Sequence, residues 1–202
     1  MPDPATPVAV TWDYRCPFAR NAHEHLLTAL EAGGGWDVQF LAFSLDQAHV
    51  DGEPAVWDDP DRYPGLLANQ AGIVIRDRFR EEFFTVHRAL FAARHDRALD
   101  LRRRDVLSEV LAAAGVDAAA VLSEIDNGWP LKTFQDEHTK AVSEWGVFGV
   151  PTFVHEGRAA FVRLLDRPGE DPAASIRTIE RIVELLDEWP ALNEFKHTRI
   201  PR

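Results

Sequence analysis

Cys16 is the one cysteine in 202 residues, and it stands where a strand gives way to a helix. Val8-Ala9-Val10-Thr11-Trp12-Asp13-Tyr14 reads as a strand, and Cys16-Pro17-Phe18-Ala19 follows after a single residue. Proline suits the first helical position, because its ring presets the backbone and its missing N–H would be unpaired there anyway. Cys16 is thereby placed at the N-cap, facing unpaired amides and the positive end of the helix dipole. Both favour a thiolate, and Arg15 beside it points the same way. The spacing therefore predicts a thiol pKa below the ordinary value of about 8.5.

The helix is expected from Pro17 to about Ala32, with Ala19, Ala22, Leu26, Ala29 and Leu30 on its buried face. Gly33-Gly34-Gly35 closes it, and Trp36 to Phe43 alternates as a second strand. Strand, helix and strand joined by short links form a right-handed βαβ unit with parallel strands. Residues 46–62 are acidic and contain proline, and they read as a loop. The pattern is then helical to Asp126, broken at Gly115-Val116-Asp117 by a glycine stop and a fresh N-cap. So much helix is too long for a simple crossover, and residues 64–127 are expected to form an inserted all-helical subdomain. Trp129 to Trp145 reads as the helix leading back. Thr152 to His155 is a strand, Glu156-Gly157 a turn, and Ala159 to Arg163 the antiparallel return. Asp171-Pro172 opens a last helix whose buried stripe is Ile176, Ile179, Val183 and Leu186. One domain is expected over residues 1–202, with 190–202 a tail too poor in apolar residues to assign.

A second motif, Trp145-Gly146-Val147-Phe148-Gly149-Val150-Pro151-Thr152-Phe153, brings a proline into the third strand. The Cys-Pro-Phe-Ala turn, the long helical stretch and this motif together resemble the DsbA-type branch of the thioredoxin superfamily, over roughly residues 7–189. That branch also holds the 2-hydroxychromene-2-carboxylate isomerases and the kappa-class glutathione transferases. The resemblance implies an α/β fold with a thioredoxin-like core, a mixed sheet built as βαβ then ββα. It implies a cis peptide before Pro151, set against Cys16, with the Val150–Pro151 backbone open to a substrate strand. It also implies that Phe18, the second residue between the two family cysteine positions, is exposed to substrate. Redox members carry a second, resolving cysteine where this chain has Ala19. Transferase and isomerase members usually carry serine where it has Cys16.

Cys16 is the candidate nucleophile, with Arg15, Pro17, Phe18, Val150 and Pro151 as its thiol-binding surroundings. An isolated free cysteine is more often a small buried hydrophobe; the N-cap position argues for reactivity. Arg76, Arg80, Phe84, His87, Phe91 and Arg94 share one side of a helical wheel, beside an apolar stripe of Phe79, Phe83, Val86, Leu90 and Ala93. Residues 76–104 hold nine arginines against five acids. Arg76, Arg80 and Arg94 are thus candidate anion ligands for a substrate or cofactor carboxylate, the plainer alternative being a solvated helix shoulder. The histidines show no metal-ligand spacing, and His87, His138 and His155 read as boundary residues. Trp12, Tyr14, Phe43, Trp145 and Phe148 read as core.

A net charge of −11 argues against nucleic-acid or anionic-membrane partners. Met1 to Pro7 shows neither the basic nor the apolar part of a signal peptide, and no apolar run approaches the roughly 18 residues of a membrane span. One cysteine allows no internal disulfide, which fits a reducing cytoplasm. Three functions are consistent with these residues. The first is a thiol-disulfide oxidoreductase of monothiol type, acting through Cys16 on a small thiol or disulfide substrate, with no tightly bound cofactor. The second is a glutathione- or mycothiol-dependent transferase or isomerase, and the third a non-catalytic binding protein on the same fold. Arginine far outnumbers lysine, as in GC-rich genomes, which brings mycothiol in beside glutathione as the small thiol. The sequence leaves the oligomeric state open.

Overall fold

The chain's structure is a computed structural model that describes residues 5–50, 52 and 54–198. The readings of the N-terminal run and of the tail lie outside the described residues at positions 1–4 and 199–202. Strand β1 (Thr6–Trp12) leads into helix α1 (Pro17–Glu31) and strand β2 (Trp36–Ala42). β1 and β2 pair in parallel, from Thr6 opposite Trp36 to Trp12 opposite Ala42. A short helix α2 (Leu45–Ala48) interrupts the expected loop, capped by the Ser44 hydroxyl, which accepts from Gln47 N. Helices α3 (Leu66–Arg78), α4 (Phe83–His95), α5 (Arg104–Ala113) and α6 (Ala118–Asp126) fill the long helical stretch, and α7 (Trp129–Trp145) returns the chain to the sheet. Strands β3 (Thr152–His155) and β4 (Arg158–Phe161) and helix α8 (Pro172–Glu188) complete it.

The four strands lie in the order β2-β1-β3-β4, with β3 antiparallel to both β1 and β4. The β3–β4 hairpin turns on Glu156 and Gly157, both at positive φ (48° and 76°), as a two-residue turn of this hand requires. Alternation along the strands covers both faces of the sheet. Val8, Val10, Trp12, Phe40 and Phe153 point into the main core. Ala9, Leu41 and Val154 point the other way, beneath Trp145 and Ala159. Helix α1 buries Ala19, Ala22, Leu26 and Ala29 and packs on α8, whose buried residues include Ile179, Val183 and Leu186. Removing a fully buried side chain such as Phe153 would cost about 3–5 kcal/mol.

Three details differ from the sequence reading. β1 ends at Trp12, because Asp13 and Tyr14 are drawn into the turn by side-chain and main-chain bonds described below. β4 begins and ends one or two residues early. The expected helix through residues 76–94 breaks at Phe79 (φ −125°, ψ 57°), and Arg80–Glu82 form a single 3₁₀ turn before α4. The six residues assigned to one face therefore do not share one.

Candidate active site

The turn before Cys16 is built by Asp13. Its carboxylate is fully buried and accepts from the Arg15 main-chain N–H at 2.9 Å, an Asx turn at the strand end. The same carboxylate takes Arg15 Nε at 3.2 Å and Nη2 at 2.9 Å, and the Leu45 N–H at 3.0 Å. Arg15 Nη1 reaches Asp46 Oδ1 at 2.5 Å, which ties the turn to α2. Burial alone would make Arg15 easier to deprotonate, but the bonds to Asp13 and Asp46 more than offset it and hold the guanidinium charged. Cys16 N then donates to the Asp13 carbonyl at 3.0 Å, and Cys16 takes an extended backbone (φ −91°, ψ 118°) as the N-cap of α1.

The thiol has two partners. Sγ accepts from Ala19 N at 3.4 Å and donates to the Val150 carbonyl at 3.2 Å. The Val150–Pro151 peptide is cis. Thr152 N donates to Thr11 Oγ1 at 2.9 Å, and Thr152 Oγ1 to the Gly149 carbonyl at 2.8 Å, so the proline loop is held on β1. Cys16, Pro17, Val150 and Pro151 thus meet at one place. The charge state of the thiol corrects the sequence reading: Cys16 is 8% exposed, and burial raises its pKa above the ordinary value. The Ala19 and Phe18 amides pull it back, and the Asp13 charge pushes it further up. Arg15 does not help, because both of its ends are committed to carboxylates.

A cleft of about 540 Å³ opens beside this turn. Its walls include Tyr14, Arg15, Arg62, Tyr63, Arg94 and residues 98–102. A smaller cleft of about 290 Å³, lined by Arg76, Arg80, Phe40 and Glu137, lies against β2.

Residues 78–169 match the family of DSBA-like thioredoxin domains, a span that contains Pro151 but not Cys16. DsbA from Pseudomonas aeruginosa superposes with a TM-score of 0.60 at 20% identity, over 94% of this chain and 86% of its own. The chain has a DsbA-like thioredoxin fold. Reduced DsbA1 from Neisseria meningitidis gives a TM-score of 0.61 at 13% identity, over 92% of this chain and 86% of that one. A 2-hydroxychromene-2-carboxylate isomerase gives 0.62 at 14% identity, over 93% of this chain and 100% of that one. No curated protein sequence matches the chain.

Within this DsbA-like fold the three candidate arginines are dispersed. Arg94 lines the larger cleft beside Arg15, whereas Arg76 and Arg80 line the smaller one. Arg76 is committed: Nη2 pairs with Glu137 at 2.7 Å, Nε with Asp77 at 2.7 Å, and Nη1 donates to the Phe40 carbonyl at 2.7 Å. Glu137 in turn accepts from Ala42 N at 2.7 Å. The aromatic assignments also shift. Phe18 is half-buried against the core, with the Arg163 guanidinium 5.4 Å from its ring, while Phe148 is 70% exposed and stands against Phe161.

The histidines are the larger surprise, since His23, His87, His138 and His155 are all buried. Tyr14 OH lies 2.7 Å from His87 Nδ1, His87 Nε2 lies 3.0 Å from His23 Nδ1, and His23 Nε2 lies 3.1 Å from the Thr11 carbonyl. A carbonyl only accepts, so the protons have one arrangement: Tyr14 donates to His87, His87 to His23, and His23 to Thr11. Both imidazoles are neutral in it. Burial lowers the His23 pKa to about 4 and the His87 pKa well below the usual value, and raises that of Tyr14. The chain anchors both halves of the site, because Tyr14 precedes Cys16 by two residues and Thr11 holds Thr152. His95 Nε2 adds a bond to the Tyr14 carbonyl at 2.9 Å. Asp13 had a visible signal, an acidic residue closing a strand two positions before an arginine. The histidine chain depends on His87, 64 residues beyond His23, and had none.

Among the described residues, His155, Glu156 and Asp187 bring metal-ligand atoms within 4.8 Å of one another. His155 Nε2 already pairs with Asp187 at 3.1 Å, its Nδ1 donates to the Pro7 carbonyl at 2.6 Å, and Arg158 stands 3.8 Å from the same carboxylate. These contacts anchor the β3–β4 hairpin on α8. Among the described residues, no helix is long and apolar enough to cross a membrane.

Proposed function

We propose that this chain is a thiol-disulfide oxidoreductase that works by a monothiol route through Cys16. The observation that carries this reading is the placement of the thiol: Sγ caps α1 and sits 3.2 Å from the Val150 carbonyl, next to Pro151, with Ala19 one turn further on. The Cys16 thiolate attacks one sulfur of a disulfide, an S–Sγ bond forms, the substrate S–S bond breaks, and the departing half leaves as a thiolate that takes up a proton. Ala19 supplies no second sulfur. An external small thiol, as its thiolate, then attacks the mixed disulfide and displaces Cys16, which recovers its proton. No net redox change falls on the protein. The raised pKa keeps most Cys16 protonated at neutral pH, but a more basic thiolate is also the stronger nucleophile. The Ala19 and Phe18 amides stabilise the anion as it appears. Turnover of this kind fits a reducing, cytoplasmic setting, with glutathione or mycothiol as co-substrate.

The larger cleft favours a second reading, a glutathione- or mycothiol-dependent transferase or isomerase, since about 540 Å³ beside the Asp13–Arg15 turn that precedes Cys16 accommodates a co-substrate. Substitution at Cys16 separates the two. Under the exchange reading, Cys16→Ser and Cys16→Ala both abolish deglutathionylation of a peptide disulfide. Under the second, Cys16→Ser supports turnover of an electrophile with added thiol, because a hydroxyl donates a hydrogen bond to a bound thiolate, and Cys16→Ala does not. If neither substitution changes any activity, Cys16 has no catalytic role.

A further inference from the structure

Four guanidinium groups and three carboxylates line the larger cleft, and they do not cancel locally. Arg15 is spent on Asp13 and Asp46. Arg102 is spent on Asp100, with Nε to Oδ1 at 2.7 Å and Nη2 to Oδ2 at 2.9 Å. That leaves Arg62 and Arg94, neither of which has a carboxylate partner among the described residues. Arg62 lies over the Tyr63 ring, 5.7 Å from its centre. Both arginines come from segments remote in sequence, the turns before α3 and the last turn of α4, and they converge on one concave space. In a protein of net charge −11, two uncompensated cations facing one hollow mark a place that attracts negative charge. The lining also includes the apolar Ala68, Leu99 and Leu101. Arg15, which lines this cleft, immediately precedes Cys16 in the chain.

We propose that the cleft selects the substrate of Cys16 by charge: its ligand is a low-molecular-weight disulfide, or the matching thiol, whose carboxylate or phosphate groups rest on Arg62 and Arg94. This rests on the exchange chemistry proposed above and adds the class of molecule that enters it. The guanidinium fork donates to either anion in bidentate fashion, whereas a neutral sugar thiol or a cationic disulfide gains nothing from it. The exchange step itself is unchanged. The anionic tail holds the disulfide so that one sulfur reaches Sγ, and the other half leaves as thiolate.

The test is the rate at which Cys16 forms a mixed disulfide, followed by intact mass. The probes are glutathione disulfide (carboxylates), coenzyme A disulfide (phosphates), hydroxyethyl disulfide (neutral) and cystamine (cationic). One or both anionic probes should react about tenfold faster than the neutral one, the size that two partly screened charge pairs supply, and cystamine should be slowest. Which anionic probe is faster tells carboxylate from phosphate. The anionic-to-neutral ratio should fall toward one in Arg62→Gln and Arg94→Gln and in added salt. It should not change in Arg104→Gln, an exposed arginine outside the cleft. A ratio near one in the parent, or a ratio that both cleft variants leave intact, overturns the proposal while exchange stands. If Cys16 reacts with no probe, the exchange reading fails. Binding of S-methylglutathione to the parent and to Arg62→Gln then still decides whether the cleft takes anions.

Discussion

Cys16 Sγ and the Val150 carbonyl oxygen lie 3.2 Å apart across 134 positions of chain. The carbonyl accepts the thiol proton and so favours the neutral form, while the amides of Phe18 and Ala19 favour the anion. Burial decides between them, and the thiol is held protonated above its usual range.

Alkylation of Cys16 should follow from this. The iodoacetamide rate in the native protein should rise with pH through a midpoint above the ordinary thiol value, since the reactive anion appears only as pH climbs past the raised pKa. A midpoint clearly below that value would mean that the helix N-terminus outweighs burial.

Ala19→Cys should convert the site to dithiol chemistry. Ala19 N already lies 3.4 Å from Cys16 Sγ, and the substituted residue sits three positions on, in the first turn of α1. Mild oxidation should close an internal disulfide, read as a loss of about two daltons in intact mass and as loss of alkylation. Persistence of two free thiols would show that the two side chains diverge.

The buried histidines predict acid lability. His23 is held neutral in the fold, with a pKa of about 4 set mainly by burial, so the unfolded chain binds the extra proton first. Stability should be complete above about pH 6.5 and fall as pH drops toward 4, by roughly 3 kcal/mol from His23 alone. Urea denaturation at several pH values measures it. Tyr14→Phe should cost about 1–3 kcal/mol at neutral pH by stripping His87 Nδ1 of its donor. A flat profile between pH 6.5 and 4 would contradict the neutral chain.

Ala98, three residues past the end of helix α4, has φ 52°, and the next residue's N–H, Leu99 N, is bonded to the Ala93 carbonyl at 2.9 Å. A side chain is disfavoured in that left-handed conformation, and glycine is not. Ala98→Gly should therefore stabilise the fold by about 0.5–1 kcal/mol and raise Tm by about 2 °C. A lower Tm would mean that the residue's methyl packing outweighs its backbone strain.

Local signals carried far in this chain. Cys16-Pro17 gave the N-cap, Gly115 and Asp117 the stop and restart between α5 and α6, and Glu156-Gly157 the hairpin, because each depends on residues adjacent in sequence. The expected convergence of Cys16 with Val150 and Pro151 came from resemblance, since spacing alone does not pair residues so far apart. What stayed hidden was long-range. Arg15 looked free to assist the thiol until Asp13 and Asp46 claimed it. Arg76, Arg80 and Arg94 looked like one face until Phe79 broke the helix. His87 looked like a boundary residue, because nothing local shows that His23 and Tyr14 will meet it inside the core.

Among the described residues, β2 is the outermost strand on its side of the sheet, and no further strand pairs its outer backbone groups. Arg76 takes the Phe40 carbonyl, Glu137 takes the Ala42 N–H, and the two side chains pair with each other. The ion pair thus occupies positions that a neighbouring strand would use and caps that stretch with fixed charge. The arginine that looked like a ligand for substrate is spent on the sheet edge, where fixed charge disfavours pairing with another strand.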